Sequence, residues 1–179
     1  MNDLLASKLK EAIRDVPDFP QPGILFKDIT PILANPELSL QVSKAFYEYW
    51  KNKNINTLVG IESRGFIYGL QLAQQLGIPF IPVRKAGKLP YKTVRHAYDL
   101  EYGSAEIEMH EDAIKPGNKV LIHDDLLATG GTAQAAAELV KKMGGKVAGY
   151  SFLIELTFLN GKQKLVGDEP AEIQTLVSF

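Results

Sequence analysis

The chain has 179 residues, 45% of them hydrophobic, and sets 20 Lys and Arg against 21 Asp and Glu. That length and apolar content suffice for one globular unit with a real core, and the balanced charge leaves no long-range basic field of the kind that marks a nucleic-acid binder, so any anion site must be local. The absence of cysteine excludes disulfides, thiolate metal ligands and a Cys nucleophile and fits a reducing, cytoplasmic setting, and no apolar run is long enough to span a membrane.

The opening segment, "MNDLLASKLKEAIRDV", carries acids and no continuous apolar stretch, so it reads as a helix rather than a signal peptide. Leu5, Leu9, Ala12 and Ile13 fall on one helical face behind an Asn2 or Asp3 cap, and the helix stops before Pro17. "PDFPQPGILFKDITP" has too many prolines for a long helix and is expected to be an ordered loop with a short extended piece at 24–26. Its Phe19, Ile24, Leu25, Phe26 and Ile29 are too apolar for a solvated linker and are expected to pack on the body. Asn35 and Pro36 suit a cap and first turn, and Leu38, Val42, Ala45, Phe46 and Tyr49 continue at helical spacing towards Trp50.

Further on, "TLVGI" at 57–61 reads as a buried strand, "RGFIYGLQLAQQLG" as a helix closed by Gly77, and "IPFIPV" at 78–83 as a strand whose prolines argue for an edge or irregular place. "KVLIH" at 119–123 is a strand, "GGTAQAAAELVKKMGG" a helix, and "KVAGYSFLIEL" another strand. Strands separated by helices imply right-handed crossovers and an α/β fold, a mostly parallel twisted sheet flanked by helices. In such sheets ligands collect beyond the carboxyl ends of the strands.

Two segments stand there, "ESRGF" at 62–66 and "HDDLLATGGT" at 123–132, each expected to be a loop between a strand and a helix. In the second, Ala128, Thr129, Gly130, Gly131 and Thr132 bring free backbone N–H groups, two hydroxyls and a helix dipole towards one point, which suits an anion. A Gly-Gly turn before a helix is also a common plain connection, and neither the triphosphate P-loop lysine nor the dinucleotide G-x-G-x-x-G spacing is present. Asp124 and Asp125 add a second demand. Adjacent carboxylates in a crevice are costly unless they bind hydroxyls, a metal or bases, although one could cap the loop while the other is solvated. A sugar phosphate meets both demands, with its phosphate in the cradle and its vicinal hydroxyls on the acids.

"VLIHDDLLATGGT" resembles the phosphoribosyl-pyrophosphate motif of type I phosphoribosyltransferases, and "FPQPGILFKDITP", "ESRGF", "RKAGKLP" and "YDLEYG" follow the order and spacing of the adenine phosphoribosyltransferase family. The resemblance covers most of residues 19–157. It implies transfer of ribose 5-phosphate from the pyrophosphate donor to adenine, giving AMP and pyrophosphate, with Mg2+. It further implies one domain over 1–179 with a hood at 1–35 and a mobile lid hairpin at 84–110, a homodimer, and neither nucleic-acid nor membrane partners.

Residue by residue, the resemblance places the 5-phosphate on Ala128 to Thr132 and the ribose hydroxyls on Asp124 and Asp125, directly or through magnesium, with Asp124 as the metal contact. Ser63 and Arg64 match the pyrophosphate loop, where a non-proline cis peptide is expected and Arg64 acts in catalysis. Leu25 and Lys27 match adenine contacts made largely by backbone, with Phe26 stacking beside the purine. Arg84, Lys85 and Lys88 match positions around the leaving pyrophosphate, and the resemblance leaves open that one acts across a dimer interface. Glu101 matches the proposed general acid/base, and Tyr102 beside it is carried over as a substrate contact.

The residues of the lid carry their own signal. "RKAGKLPYKTVRH" holds five Lys or Arg and no acid, which usually means a solvated linker. Here alternation of Tyr98, Leu100 and Tyr102, and of Ile107 and Met109, reads as a hairpin turning near Gly103 and Ser104, suited to close over an anionic substrate. His123 departs from the family's branched aliphatic residue. It reads as packed at the strand end with a hydrogen-bonded ring, its titration near neutrality affecting the acids. Rival readings are a hypoxanthine, guanine or xanthine enzyme, against which the "FPQPGILFKDIT" segment speaks, and a non-catalytic purine-responsive regulator, against which the balanced charge and complete lid speak.

Overall fold

Leu5 and Leu9 are buried along one side of α1 (Asp3–Ala12) in the computed structural model, which describes residues 3–99, 104–166 and 171–179. The proline-rich stretch then forms a two-stranded ribbon, β1 (Arg14–Pro17) antiparallel to β2 (Leu25–Asp28), where the sequence suggested only a short extended piece. Long-range pairing supplied what local propensity does not show. Ile29 is buried as expected, but Phe19, Ile24 and Leu25 stay exposed, because the ribbon turns them away from the body. A short α2 (Thr30–Leu33) precedes α3 (Pro36–Trp50), where the Asn35 side chain accepts the Leu38 N–H at 3.1 Å and caps the helix.

The main sheet has seven strands. β3 (Thr57–Ile61) leads directly into α4 (Glu62–Leu76), then β4 (Phe80–Lys85), the hairpin β5 (Thr93–Asp99) and β6 (Ser104–His110), β7 (Lys119–Leu127), α5 (Gly131–Lys142) and β8 (Lys146–Glu155). A single 3-10 turn (Thr157–Leu159), α6 (Lys162–Leu165) and β9 (Glu172–Ser178) complete the chain's elements. The order across the sheet is β5-β6-β4-β3-β7-β8-β9; β4, β3, β7, β8 and β9 run parallel, and the β5–β6 hairpin is added antiparallel at one edge. β4 pairs only with β3 along 80–83, which includes Pro82, and gains β6 as a second neighbour only at Arg84 and Lys85. The prolines therefore do mark a stretch with one free side.

Two apolar clusters fill the two faces. One packs α1, α3 and α4 around Phe46, Trp50, Leu58 and Tyr68; the other packs α5 and the hairpin around Ile107, Met109, Ile122 and Phe152. β3 and β7 are thus held between layers. Gly77 closes α4 in the left-handed conformation at φ 67°, as its position in the sequence implies.

Candidate active site

β7 does not end at His123. Pairing with β8 continues through Asp124↔Phe152, Leu126↔Ile154 and Leu127↔Glu155, so the two acids sit on strand and not on a loop. Likewise α4 begins at Glu62, two residues before the expected start, and the only cis peptide among the described residues is Phe19–Pro20. The expected cis bond in 62–66 is replaced by a left-handed Glu62 at φ 48°, a different way of turning the chain sharply from strand to helix. Gly65 lets that first turn lie on β7, since a Cβ there would stand 3.1 Å from both the Asp124 carboxylate and the His123 carbonyl.

This approach brings the predicted residues together. Arg64 Nη2 lies 2.6 Å from the Asp125 Oδ2, its Nη1 donates to the Lys27 carbonyl at 3.4 Å, and its guanidinium lies 4.7 Å from the centre of the Phe26 ring. Arg64 therefore joins the acid pair to the β2 segment. Asp125 is buried, and its Oδ2, though close to Arg64, has no hydrogen bond of proper geometry. The Asp124 Oδ1 accepts the Asp125 N–H at 2.8 Å. Burial, and then the neighbouring Asp125 charge, push the Asp124 carboxyl well above the ordinary carboxylate range; burial also raises Asp125, with Arg64 opposing it. Two carboxylates so placed favour a proton, a cation or hydroxyl donors.

The anion cradle follows. Gly130 is the N-cap of α5 in the left-handed conformation at φ 80°, and no side chain caps the helix, so its first N–H groups are free for a ligand. A Cβ on Gly130 would come within 2.5 Å of the Gly161 carbonyl, and a Cβ on Gly161 would collide with the Ala128 carbonyl. Gly161, which sequence reasoning passed over, backs the cradle from the turn that precedes α6. Thr132 Oγ1 is within 3.2 Å of the Tyr98 hydroxyl of β5. Arg64, Asp124, Asp125 and Ala128 to Thr132 line one hollow of about 220 Å³. A larger hollow of about 730 Å³ beside α1, α3 and β9 has no such cradle, so chemistry and not volume selects the site.

Other predicted residues lie apart from this centre. Leu25 is exposed, and Ser63 is exposed in the first turn of α4. Lys27 is buried with its Nζ 2.6 Å from Asp15 and 3.9 Å from the centre of the Phe179 ring, so only its backbone faces Arg64. Arg84, Lys85 and Lys88 make no hydrogen bond or ion pair with the acids or the cradle among the described residues. Instead Glu62 accepts the Lys85 N–H at 2.7 Å and stands 3.5 Å from Arg84 Nε, and Glu108 accepts the Lys88 N–H at 2.9 Å. Glu62 and Glu108 are organising residues that the sequence did not reveal, since each acts through a distant backbone. Glu101 and Tyr102 lie outside the described residues.

His123 is packed as expected, but without the expected hydrogen bond on its ring. Its imidazole is fully buried, edge-on to Phe46 at 5.1 Å, and among the described residues neither ring nitrogen has a hydrogen-bond partner of proper geometry. Burial pushes its pKa down to about 3, so the ring is neutral around pH 7 and does not modulate the acids there. Among the described residues, no helix is long and apolar enough to cross a membrane.

A profile of the phosphoribosyl transferase domain matches residues 28–168. The adenine phosphoribosyltransferase of Cytophaga hutchinsonii is 50% identical over 177 residues, 99% of this chain and 97% of its own. The crystal structure of adenine phosphoribosyltransferase from Rhodothermus marinus superposes with a TM-score of 0.94 at 53% identity, covering 99% of this chain and 100% of that one. The Saccharomyces cerevisiae enzyme, complexed with an imino-altritol bisphosphate and adenine, gives 0.88 at 43%, over 97% and 99% of the two chains. Sharing about half its residues with these enzymes over nearly its whole length, the chain belongs to the adenine phosphoribosyltransferase family.

Proposed function

We propose that the crevice at the ends of β3 and β7 is where this family member moves the 5-phosphoribosyl group from 5-phosphoribosyl 1-pyrophosphate to adenine, giving AMP and pyrophosphate in purine salvage. The observation that carries the assignment is the single hollow in which Asp124, Asp125, Arg64 and the Ala128–Thr132 cradle meet. The 5-phosphate sits on the uncapped N-terminus of α5, and the ribose hydroxyls donate to the raised, desolvated acids.

In the reaction the bond from the anomeric carbon to pyrophosphate breaks, a bond to a purine nitrogen forms, and that nitrogen loses its proton. Cationic character develops on the ribosyl ring while negative charge accumulates on the leaving group, so the site must hold the purine in line, receive the leaving charge and exclude water. Phe26 and the backbone of Leu25 and Lys27 hold the base, Glu101 takes the proton, with Tyr102 beside it, and Arg64 with Ser63, Arg84, Lys85 and Lys88 receives the pyrophosphate. The residues present fit a divalent ion: Asp124 and Asp125 form a desolvated pair with one guanidinium, that of Arg64, beside the Asp125 Oδ2, and no group of three or more His, Asp or Glu stands together among the described residues, so the remaining ligands come from substrate and water. Magnesium, when bound, neutralises phosphate charge. We read 1–179 as one domain with a hood at 1–35 and a lid at 84–110, working as a cytoplasmic homodimer.

The test mixes donor and magnesium with each purine and follows pyrophosphate release. Turnover with adenine and none with hypoxanthine, guanine or xanthine is expected; turnover with guanine instead, or with no purine, sinks the assignment.

A further inference from the structure

Glu108 lies at the middle of β6, paired in register with Arg84 of β4 on one side and Arg95 of β5 on the other, and only 1% of it is exposed. A buried carboxylate is tolerated only when its oxygens are satisfied, and here both are. Oε1 accepts the N–H groups of Lys88 and Leu89, each at 2.9 Å; Oε2 accepts the Thr93 hydroxyl at 3.1 Å and stands 3.2 Å from Arg95 Nε. One side chain thus grips the connection between β4 and β5 at its middle and at its far end. Burial alone would raise its pKa, but the N–H groups of Leu89, Gly87 and Lys88 and the Thr93 hydroxyl outweigh burial and hold it below the ordinary value. Among the described residues the connection's other supports are Ala86 N–H to the Glu106 carbonyl at 3.0 Å, Lys88 N–H to the Lys85 carbonyl at 3.3 Å, Glu111 N–H to the Lys92 carbonyl at 3.0 Å and the edge-on contact of Tyr91 with His110. Lys85 and Lys88 themselves are exposed.

We propose that Glu108 is a positioning residue for the leaving pyrophosphate, bracing the 86–92 connection against β5 and β6 so that the Lys88 cation is held where the pyrophosphate is received. This rests on the assignment of that cation to the pyrophosphate. Without the grip, the lysine remains but samples many placements, and ordering it falls on the donor's own binding energy. The adenine side, built on β2, is untouched.

Steady-state kinetics on the full chain decide it. In Glu108→Ala, KM for the donor rises roughly tenfold, the loss of one or two charge-assisted hydrogen bonds, while KM for adenine stays within about twofold. Glu108→Gln, which keeps shape and one acceptor, lies between and serves if the alanine variant folds poorly. Because Glu108 acts through Lys88, Glu108→Gln combined with Lys88→Ala is no worse than Lys88→Ala alone. Additive losses, or equal rises in both KM values, overturn the proposal. Should Lys88→Ala leave donor KM unchanged, the cation assignment falls and this inference with it; should it raise KM while the Glu108 variants do not, this inference alone falls.

Discussion

The end of β7 and the β5–β6 hairpin both bury carboxylates, and they treat them in opposite ways. Glu108 in the hairpin has donors on both oxygens and is held below the ordinary range. At the centre of the sheet Asp125 keeps an oxygen without a hydrogen bond, Asp124 is raised by burial and by its neighbour, and His123 has two orphaned nitrogens. The Glu108 carboxylate is complete in itself; the centre is left polar and unmet in the place where a ligand's hydroxyls and cations belong. Unmet polarity alone does not mark function, because His123 shares it without facing the hollow.

Four substitutions press on that contrast, taken from the largest effect down. Gly130→Ala forces a side chain into the left-handed region and against Gly161, so donor use should fall about 100-fold or more, measured as kcat/KM. Retention of activity would mean that the cradle is not shaped by that contact. Asp125→Asn should lower kcat/KM for the donor on the order of 10- to 100-fold, as expected for a lost charged hydrogen bond, while leaving the thermal midpoint unchanged or higher because a buried charge is gone. A variant both less active and markedly less stable would make Asp125 a structural ion-pair partner of Arg64. Glu108→Gln should be milder in activity and should cost stability, the reverse of Asp125→Asn, since it breaks a satisfied site.

His123→Val is the smallest in activity and is read by stability. The folded value of about 3 lies below the ordinary 6.5, so between these the unfolded chain binds the extra proton and stability declines as pH falls from about 6.5 towards 3, by at most ~1.4 kcal/mol per unit. Val removes that slope and, at neutral pH, an unsatisfied imidazole, adding on the order of 1 kcal/mol. Denaturant melts at several pH values would reveal it, and an unchanged slope would show that another group governs acid unfolding.

Much of this was readable in the chain because it is local. The Asn35 cap, the Gly77 stop, the buried β3 and β7, and the run from Asp124 to Thr132 each announce themselves within a dozen residues. What escaped depends on partners far away in sequence. β7 was read as stopping at the acids because acids suggest a loop, yet β8 holds them in a ladder; β9 is in neither the helical nor the strand readings, and it pairs along most of β8. The β1–β2 ribbon, the grips of Glu62 and Glu108 and the contact from Gly161 likewise exist only after folding. The resemblance of the motifs carried the site further than spacing alone, but the cis bond it implied within 62–66 is a left-handed Glu62 instead.

The back-to-back glycines have a practical consequence for anyone transplanting this cradle. A graft of residues 128–132 onto another sheet would carry the sequence and lose the mould, because Gly161 reaches the loop from a turn beyond β8. The portable unit is the pair of turns, and lengthening the distant one would reshape a pocket it never lines.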